Sequence, residues 1–327
     1  MNSLLTACVL FATVAGWAQA PTIVRTDSSR IVSKLYPGGK EVKEWVTGKD
    51  RVYYRFYRDN RATVTTTSTY TKAGRPVGTT REYDDHGTLR YAIDHDHGRW
   101  LVPDPRAYPD HALLARIKAK ADRLVAAVYG QRFLHQYAVW NVWGSAVYHG
   151  TLGGNWTDVL AETPTQFLVR YDIHLDDAHV YPELLELKLD ADGNFMPEES
   201  DEVYGFERLN TVPAHGMDLV YGEALATAKK KSGAISQPLT GFLAWERIQD
   251  PLWQTPGLYN GQYRFYVPVR TSTRKDLHPK GRSRITTYFD VYTFNPWTGA
   301  FVGKQPMEAV KEWEANSGFS SGLRPRR

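Results

Sequence analysis

Four stretches of the sequence set reactive or charged side chains at spacings that could do chemistry. Residues 188–199, KLDADGNFMPEE, carry Asp190, Asp192 and Glu199 at positions 3, 5 and 12 of a twelve-residue calcium loop, with Gly193 at position 6. Position 1 is Lys188, an ammonium where the ion needs a carboxylate. The residue types therefore favour the competing reading, a hairpin turn that needs Asp and Gly for its own backbone. His95 and His97 stand among His86, Asp84, Asp85, Asp94 and Asp96. On a strand, His-x-His puts both imidazoles on one face, as a metal requires. No third ligand stands at a diagnostic spacing and no His-Glu-x-x-His occurs, so a solvated edge strand is the plainer reading.

The other two stretches suit a partner rather than an ion. Arg270, Arg274, Lys275, Lys280, Arg282 and Arg284 face one acid, Asp276, across residues 270–284. Such a segment attracts phospholipid headgroups, anionic glycan or an acidic protein face; the plain alternative is a solvated hairpin loop. Residues 142–157, VWGSAVYHGTLGGNWT, set Trp143, Tyr148 and Trp156 among glycines. Exposed aromatics on loops bind partners, whereas at a hairpin tip the same rings tuck against the sheet. Glu183, Glu186, Glu198 and Glu199 could supply paired carboxylates for glycoside hydrolysis, but any chain with 36 acids offers such pairs. There is no phosphate-binding loop and no dinucleotide fingerprint. No catalytic residue and no cofactor is expected.

The chain has 327 residues, 42% hydrophobic and 23% charged, enough apolar content for two or three ordered domains. A net charge of +4 is too small to argue for nucleic acid. Residues 1–20 have an apolar run from Leu4 to Trp17 followed by small residues, the pattern of a secretory signal. Cleavage after Ala18 is favoured, since cleavage after Ala20 would leave Pro21 first. The expectation is export, periplasmic or extracellular. Cys8, the lone cysteine, stands in a lipobox-like Leu5-Thr-Ala-Cys, but too early to leave an apolar region before it, so a lipid anchor is not expected. No later segment approaches the roughly 20 apolar residues of a membrane span.

These groups need elements to position them. Between residues 27 and 100, short alternating strands are separated by Pro37-Gly38-Gly39, Asp59-Asn60, Gly74-Arg75-Pro76 and Asp84-Asp85-His86-Gly87, which predicts an antiparallel meander. Tyr57, Tyr70 and Tyr83 recur every 13 residues. Pro103, Pro105 and Pro109 mark a linker. A helix is predicted over 109–129, capped by Asp110 and ended by Gly130, with Leu113, Leu114, Ile117, Ala121, Leu124, Val125 and Val128 in its stripe. Strands follow at 133–143, 166–174 and 184–189. A second helix over 217–232 is closed by Gly233, with strands at 241–247, 263–270 and 285–294. Residues 284–301, RITTYFDVYTFNPWTGAF, alternate and then turn at Asn295-Pro-Trp-Thr-Gly299. Gly193 and Gly299 are 106 positions apart (299 − 193), as are Phe195 and Phe301, so two similar units end in one strand-turn device. The tail 311–327 is polar, and disorder is expected from Ser317 onward.

Two resemblances follow. Tyr36-Pro-Gly-Gly-Lys, Tyr70-Thr-Lys-Ala-Gly and Tyr83-Asp-Asp-His-Gly-Thr-Leu resemble variant MORN-type repeats of bacterial exported proteins. Glu223-Ala-Leu-Ala-Thr-Ala228, residues 263–269, Asp290-Val-Tyr and Thr298-Gly299, with Leu187-Lys-Leu-Asp190-Ala-Asp-Gly193 in the first unit, resemble PepSY-like, cystatin-like domains. The second resemblance implies a non-catalytic role, in many cases binding or restraining a protease. The expected fold is α+β: a signal at 1–20, an antiparallel β-meander at 21–102, and helix-on-antiparallel-sheet units at 109–200 and 212–310. The expected function is an exported, non-catalytic binding or scaffolding protein whose partner is a protein or a cell-envelope component. The alternatives are an envelope glycan-active enzyme and a neutralising, immunity-type protein.

Overall fold

A computed structural model describes residues 20–59, 63–196, 217–234, 237–247, 261–277, 283–314, 317–320 and 323–325. It is mostly antiparallel β-sheet with few helices. The chain divides into two units, residues 1–108 and 109–327.

In the first unit, turn residues reverse the chain after every strand, so neighbours in sequence become neighbours in the sheet. Strands β1 (Thr22–Arg25), β2 (Ser29–Tyr36), β3 (Gly39–Val46), β4 (Arg51–Arg58), β5 (Thr66–Thr71), β6 (Pro76–Tyr83), β7 (Leu89–Asp94) and β8 (Arg99–Leu101) form one eight-stranded antiparallel sheet in that order. Few apolar side chains are buried: Val42, Val52, Val77, Ala92 and Ile93. Most positions on both faces are half-buried. Cross-strand pairs carry much of the contact: Tyr54 meets Tyr70 edge-on at 6.1 Å, and Ser68, Thr80 and His95 form a hydrogen-bonded chain. The proline-rich linker folds into a short 3-10 turn at Pro105–Ala107. It buries Tyr108 edge-on against Trp100 and Tyr91.

The second unit begins with α1 (His111–Tyr129), whose Leu114, Ile117, Ala121, Val125 and Tyr129 are buried at helical spacing. Asp110 does not cap its own helix; its carboxylate accepts the Leu160 N–H at 3.0 Å. Gly130, at φ +87°, ends α1, and the chain re-enters helix as α2 (Gln131–Gln136). The expected strand over 133–143 is therefore corrected: Phe133 is helical and stacks on Tyr129 at 4.7 Å, and only β9 (Ala138–Trp140) remains extended there. Next come β10 (Ala146–His149), β11 (Leu152–Asn155), β12 (Gln166–His174) and β13 (Val180–Asp190). They pair in the order β11-β10-β12-β13, with β9 also on β12. Phe167, Val169, Tyr171 and Ile173 alternate inward from β12 and Leu185, Leu187 and Leu189 from β13; α1 lies against β12.

The last sheet contains β14 (Phe242–Arg247), β15 (Gly261–Leu277), β16 (Ser283–Phe294), β17 (Phe301–Glu314) and β18 (Ser317–Ser320) in order, with β19 (Arg324–Pro325) also on β17. The expectation of a disordered tail is corrected by β18 and β19, which satisfy backbone groups of β17. Helix α3 (Tyr221–Ser232) lies against β15 and β16, with Tyr221 edge-on to Phe265 at 5.6 Å. It starts later than expected because residues 217–219 have another task. Asp218 and Leu219 donate their N–H groups to the carbonyls of Trp297 and Pro296. Residues 291–294 are all buried, so the end of β16 is covered on both of its alternating faces.

The turn after β16 joins these parts. Trp297 is buried against Tyr129 at 5.8 Å and Phe133 at 5.6 Å. Gly299 has φ +68°, and a Cβ there would stand 3.2 Å from the Asp218 carbonyl. Trp297→Ala should therefore destabilise the second unit by about 3–5 kcal/mol, and Gly299→Ala by about 1–3 kcal/mol. Urea unfolding followed by circular dichroism checks both; an unchanged midpoint for Trp297→Ala would show that the stack is not a structural keystone.

Candidate functional site

The insert 142–157 folds as the β10–β11 hairpin with its flanking turns. Its three aromatics separate. Trp156 is 0% exposed, edge-on to Trp140 at 5.4 Å and Phe167 at 6.0 Å. As a partner-binding residue it is corrected: the indole falls over β12 because burying its area against a formed sheet outweighs leaving it wet. Tyr148 lies half-buried over Gly153, where an added Cβ would come within 3.2 Å of the ring. Trp143 is 56% exposed, and Leu152 (74%) and Val159 (59%) are the other open apolar side chains of this region.

The turn that carries Trp143 is held from both sides. Asn141 accepts the Gly144 N–H at 2.7 Å through Oδ1 and donates to Asp172 at 2.9 Å through Nδ2. Ser145 Oγ donates to the Asn141 carbonyl and accepts from Trp140 Nε1 and the Arg170 N–H. Arg170 donates to the Gly144 carbonyl at 3.1 Å and, through Nε, to the buried Glu186 carboxylate at 2.6 Å. Arg170 and Glu186 stand directly opposite each other in the β12–β13 register. Sequence reasoning placed Glu186 in a possible carboxylate pair and missed Asn141, Ser145 and Arg170. The available signal was an Arg and a Glu on two apolar strands, each needing the other inside a core.

The two metal candidates do not assemble. Asp190 Oδ1 accepts the N–H groups of Asp192 and Asn194, and Oδ2 accepts Asn194 Nδ2. The Asn194 N–H is the largest cause holding the Asp190 carboxyl below its ordinary range. Gly193 takes φ +82°, and a Cβ there would collide with Ile117 and Lys120 of α1. Lys120 Nζ donates to the Asp192 carbonyl, so an ammonium occupies the neighbourhood a cation would need. Glu199 lies outside the described residues. His95 and His97 stand not on a strand but in the turn between β7 and β8, where His-x-His no longer shares a face. His95 Nε2 points to Thr80 Oγ1 at 2.9 Å, while His97 Nδ1 meets Asp94 Oδ2 at 2.8 Å. Among the described residues no three His, Cys, Asp or Glu side chains converge on a possible ion.

In the basic segment the plain alternative, a loop, does not hold for residues 270–277, because the Thr- and Ser-rich run after Arg270 continues the ladder and β15 reaches Leu277. Arg274, paired with Asp276 at 2.8 Å, falls on one face with Arg284, and Lys275 on the other with Ile285. Lys280 and Arg282 lie outside the described residues. A Gly-x-Ser-x-Gly spelling at 318–322 also went unread in the sequence; Gly318 and Ser320 sit in β18, not at the strand-to-helix elbow that exposes a nucleophile. One further constellation was not foreseen. His179 is held by Asp176 at 2.7 Å and stacks on Tyr221 with ring centres 3.4 Å apart, tying the β12–β13 turn to the start of α3.

Two outcomes test this geometry. Arg170→Met strands a buried carboxylate and should cost about 3–5 kcal/mol, most of it recovered by adding Glu186→Leu; a non-additive pair in urea melts confirms it, and additivity refutes it. Burial pushes His95 from 6.5 down to about 4, against the opposing pull of Asp96 and Asp94. The unfolded chain then binds a proton that the folded sheet refuses. Stability is therefore complete above pH 6.5 and falls by up to ~3 kcal/mol as pH drops toward 4. Unfolding midpoints from pH 7.5 to 4.5 should fall less steeply in His95→Gln than in the parent; parallel profiles would refute the assignment.

No family model matches the chain, and no curated protein matches it. Among solved structures, the chain pairs with "Crystal structure of lipopolysaccharide binding protein" at 8% identity, over 94% of this chain and 70% of that one. The TM-score of 0.14 is too low to carry any argument about fold or ligand.

Proposed function

We propose that this chain is an exported, non-catalytic binding or scaffolding protein of the bacterial cell envelope, built as a MORN-like sheet followed by two PepSY-like helix-on-sheet units. Support for the paired units comes from the order of their parts. Helix α1, β10, β12 and β13, with α2, β9 and β11 inserted among them, run into the Gly193 turn; α3, β14, β15 and β16 run into the Gly299 turn. In each set the first of the three strands pairs antiparallel with the second and the second with the third. After each turn a phenylalanine pairs back, Phe195 with Leu189 and Phe301 with Phe294.

The observation that carries the binding reading is Trp143, an open indole on a turn fixed by Asn141, Ser145 and Arg170. A rigid turn presenting a large aromatic loses little entropy on association, which is what an anchor residue requires. Restraint of a protease is the specific form of this reading that the PepSY-like resemblance implies.

The test is retention of envelope components by the tagged chain and by Trp143→Ala. Purified envelope fractions, including co-exported proteases, should bind the parent and bind the variant at least tenfold more weakly, with circular dichroism unchanged. Equal retention by parent and variant would remove Trp143 from the interface. Turnover of an envelope glycan by the parent chain would overturn the non-catalytic reading.

A further inference from the structure

We infer that one face of the first unit's sheet is a docking surface for a linear, carboxylate-bearing polysaccharide. This extends the binding reading to a second surface and rests on it only in treating the chain as a binding protein. The strand register divides the side chains cleanly. Arg30, Lys43, Tyr54 and Arg58 point to one face; Lys40, Arg51, Arg55, Arg81 and Arg99 point to the other.

The two faces use their cations differently. On the first, Arg30 lies over Trp45 at 5.3 Å, Lys34 over Tyr36 at 4.7 Å and Lys43 over Tyr54 at 5.8 Å. Arg58 reaches Glu82 and Asp85, and Tyr108 packs over Tyr91 and Trp100 at the β7–β8 end. On the second face, Lys40 rests on Tyr57 and Arg55 pairs with Glu44. Arg51, Arg81 and Arg99 are exposed, and among the described residues they form no ion pair. The strand neighbour that could have neutralised Arg99 is Asp94, opposite it in the register. Its carboxylate is instead taken by His97 and the turn N–H groups.

The rest of this face suits sugar. Arg55, Thr67 and Arg81 form one rung across β4, β5 and β6, which puts the two guanidinium-bearing strands about 10 Å apart at the usual strand spacing. Thr69 and Thr71 add hydroxyls that donate and accept, and Tyr53 offers an open ring to the C–H face of a pyranose. From β2 to β8 the rungs run roughly 30 Å, so an extended chain can meet several cations at once. Guanidinium forks match carboxylates in bidentate geometry. An open sheet face with separated cations recognises a polymer with spaced anions better than a single small anion, which one site would have to enclose.

The experiment titrates the full chain with polygalacturonate, neutral dextran and vesicles containing anionic phospholipid, by calorimetry and co-sedimentation. Polygalacturonate should bind, weaken with added salt, and lose at least tenfold in affinity with Arg51→Glu, Arg81→Glu and Arg99→Glu combined. Arg30→Glu with Lys34→Glu, on the opposite face, should change it less than twofold. To guard against misfolding, Arg81→Gln alone should lose two- to fivefold with an unchanged circular dichroism spectrum. Equal losses from both faces, or no polygalacturonate binding at low salt, would overturn the proposal, and binding to vesicles but not to polymer would replace it with a membrane surface. Because Trp143 lies in the other unit, Trp143→Ala should leave this titration unchanged, so failure here and failure of the envelope-retention test are distinguishable.

Discussion

The second unit depends on two places where the chain approaches itself so closely that an added side chain would force its neighbours to shift. At Gly193 an added Cβ would collide with Ile117 and Lys120; at Gly299 it would crowd the backbone of Asp218. Both glycines also sit at positive φ, which other residues adopt only with strain. In each turn an Asp or Asn opens the reversal by accepting a backbone N–H two residues on, Asp190 from Asp192 and Asn295 from Trp297. The first contact holds the end of β13 to α1. The second lets residues 217–219 run along the turn, delivers the chain into α3, and sets Trp297 against Tyr129 and Phe133. A single turn thus ties both helical regions of this unit to the end of β16.

The same economy explains how carboxylates are used in both units. Asp190, Asp176 and Asp94 each accept N–H groups of their own turn, and the last two also hold a histidine. Asp122 accepts both the Tyr171 hydroxyl and the Lys118 ammonium beside it. Burial, reinforced by Asp122, raises Tyr171 well above its ordinary value, so its proton stays in that bond. Carboxylates engaged this way already have their lone pairs directed at backbone or neighbours. Recruiting one to an ion or substrate would undo the turn it closes.

Much of the strand pattern was legible in the sequence, because turn residues and period-two alternation are local signals. Residues 166–174 read as a strand and are β12, and the turns at Gly74 and Gly87 separate β5, β6 and β7. What failed depends on distant partners. Phe133 is apolar in either helix or strand, and the rings it meets as a helical residue, Tyr129, Tyr137 and Trp297, include one from more than 160 positions away. The tail is polar, yet β18 and β19 form because β17 offers unpaired backbone groups. His-x-His suggested one face, but the pair falls in a turn where spacing no longer fixes direction. Of the insert's aromatics, Trp156 is taken into the core and Trp143 is not. That difference lies in whether β12 runs beneath the ring, and no spacing records it.

The first unit raises a physical question that its function has to answer. A sheet with so few buried aliphatic residues cannot rely on a deep core, and each cross-strand pair contributes only about 0.2–1 kcal/mol. Much of its stability must therefore come from side chains lying on their neighbours, such as lysine ammonium and arginine guanidinium groups set over tyrosine and tryptophan rings. A sheet stabilised in this way necessarily carries cations and aromatics on its surface. Where an acid or a ring already engages the cation, as at Arg30 and Arg58, the residue serves the sheet. Where neither does among the described residues, as at Arg51, Arg81 and Arg99, the charge has no evident part in holding the sheet. Cations spared in this way on one face of a sheet are the ones an outside partner can engage without undoing the fold.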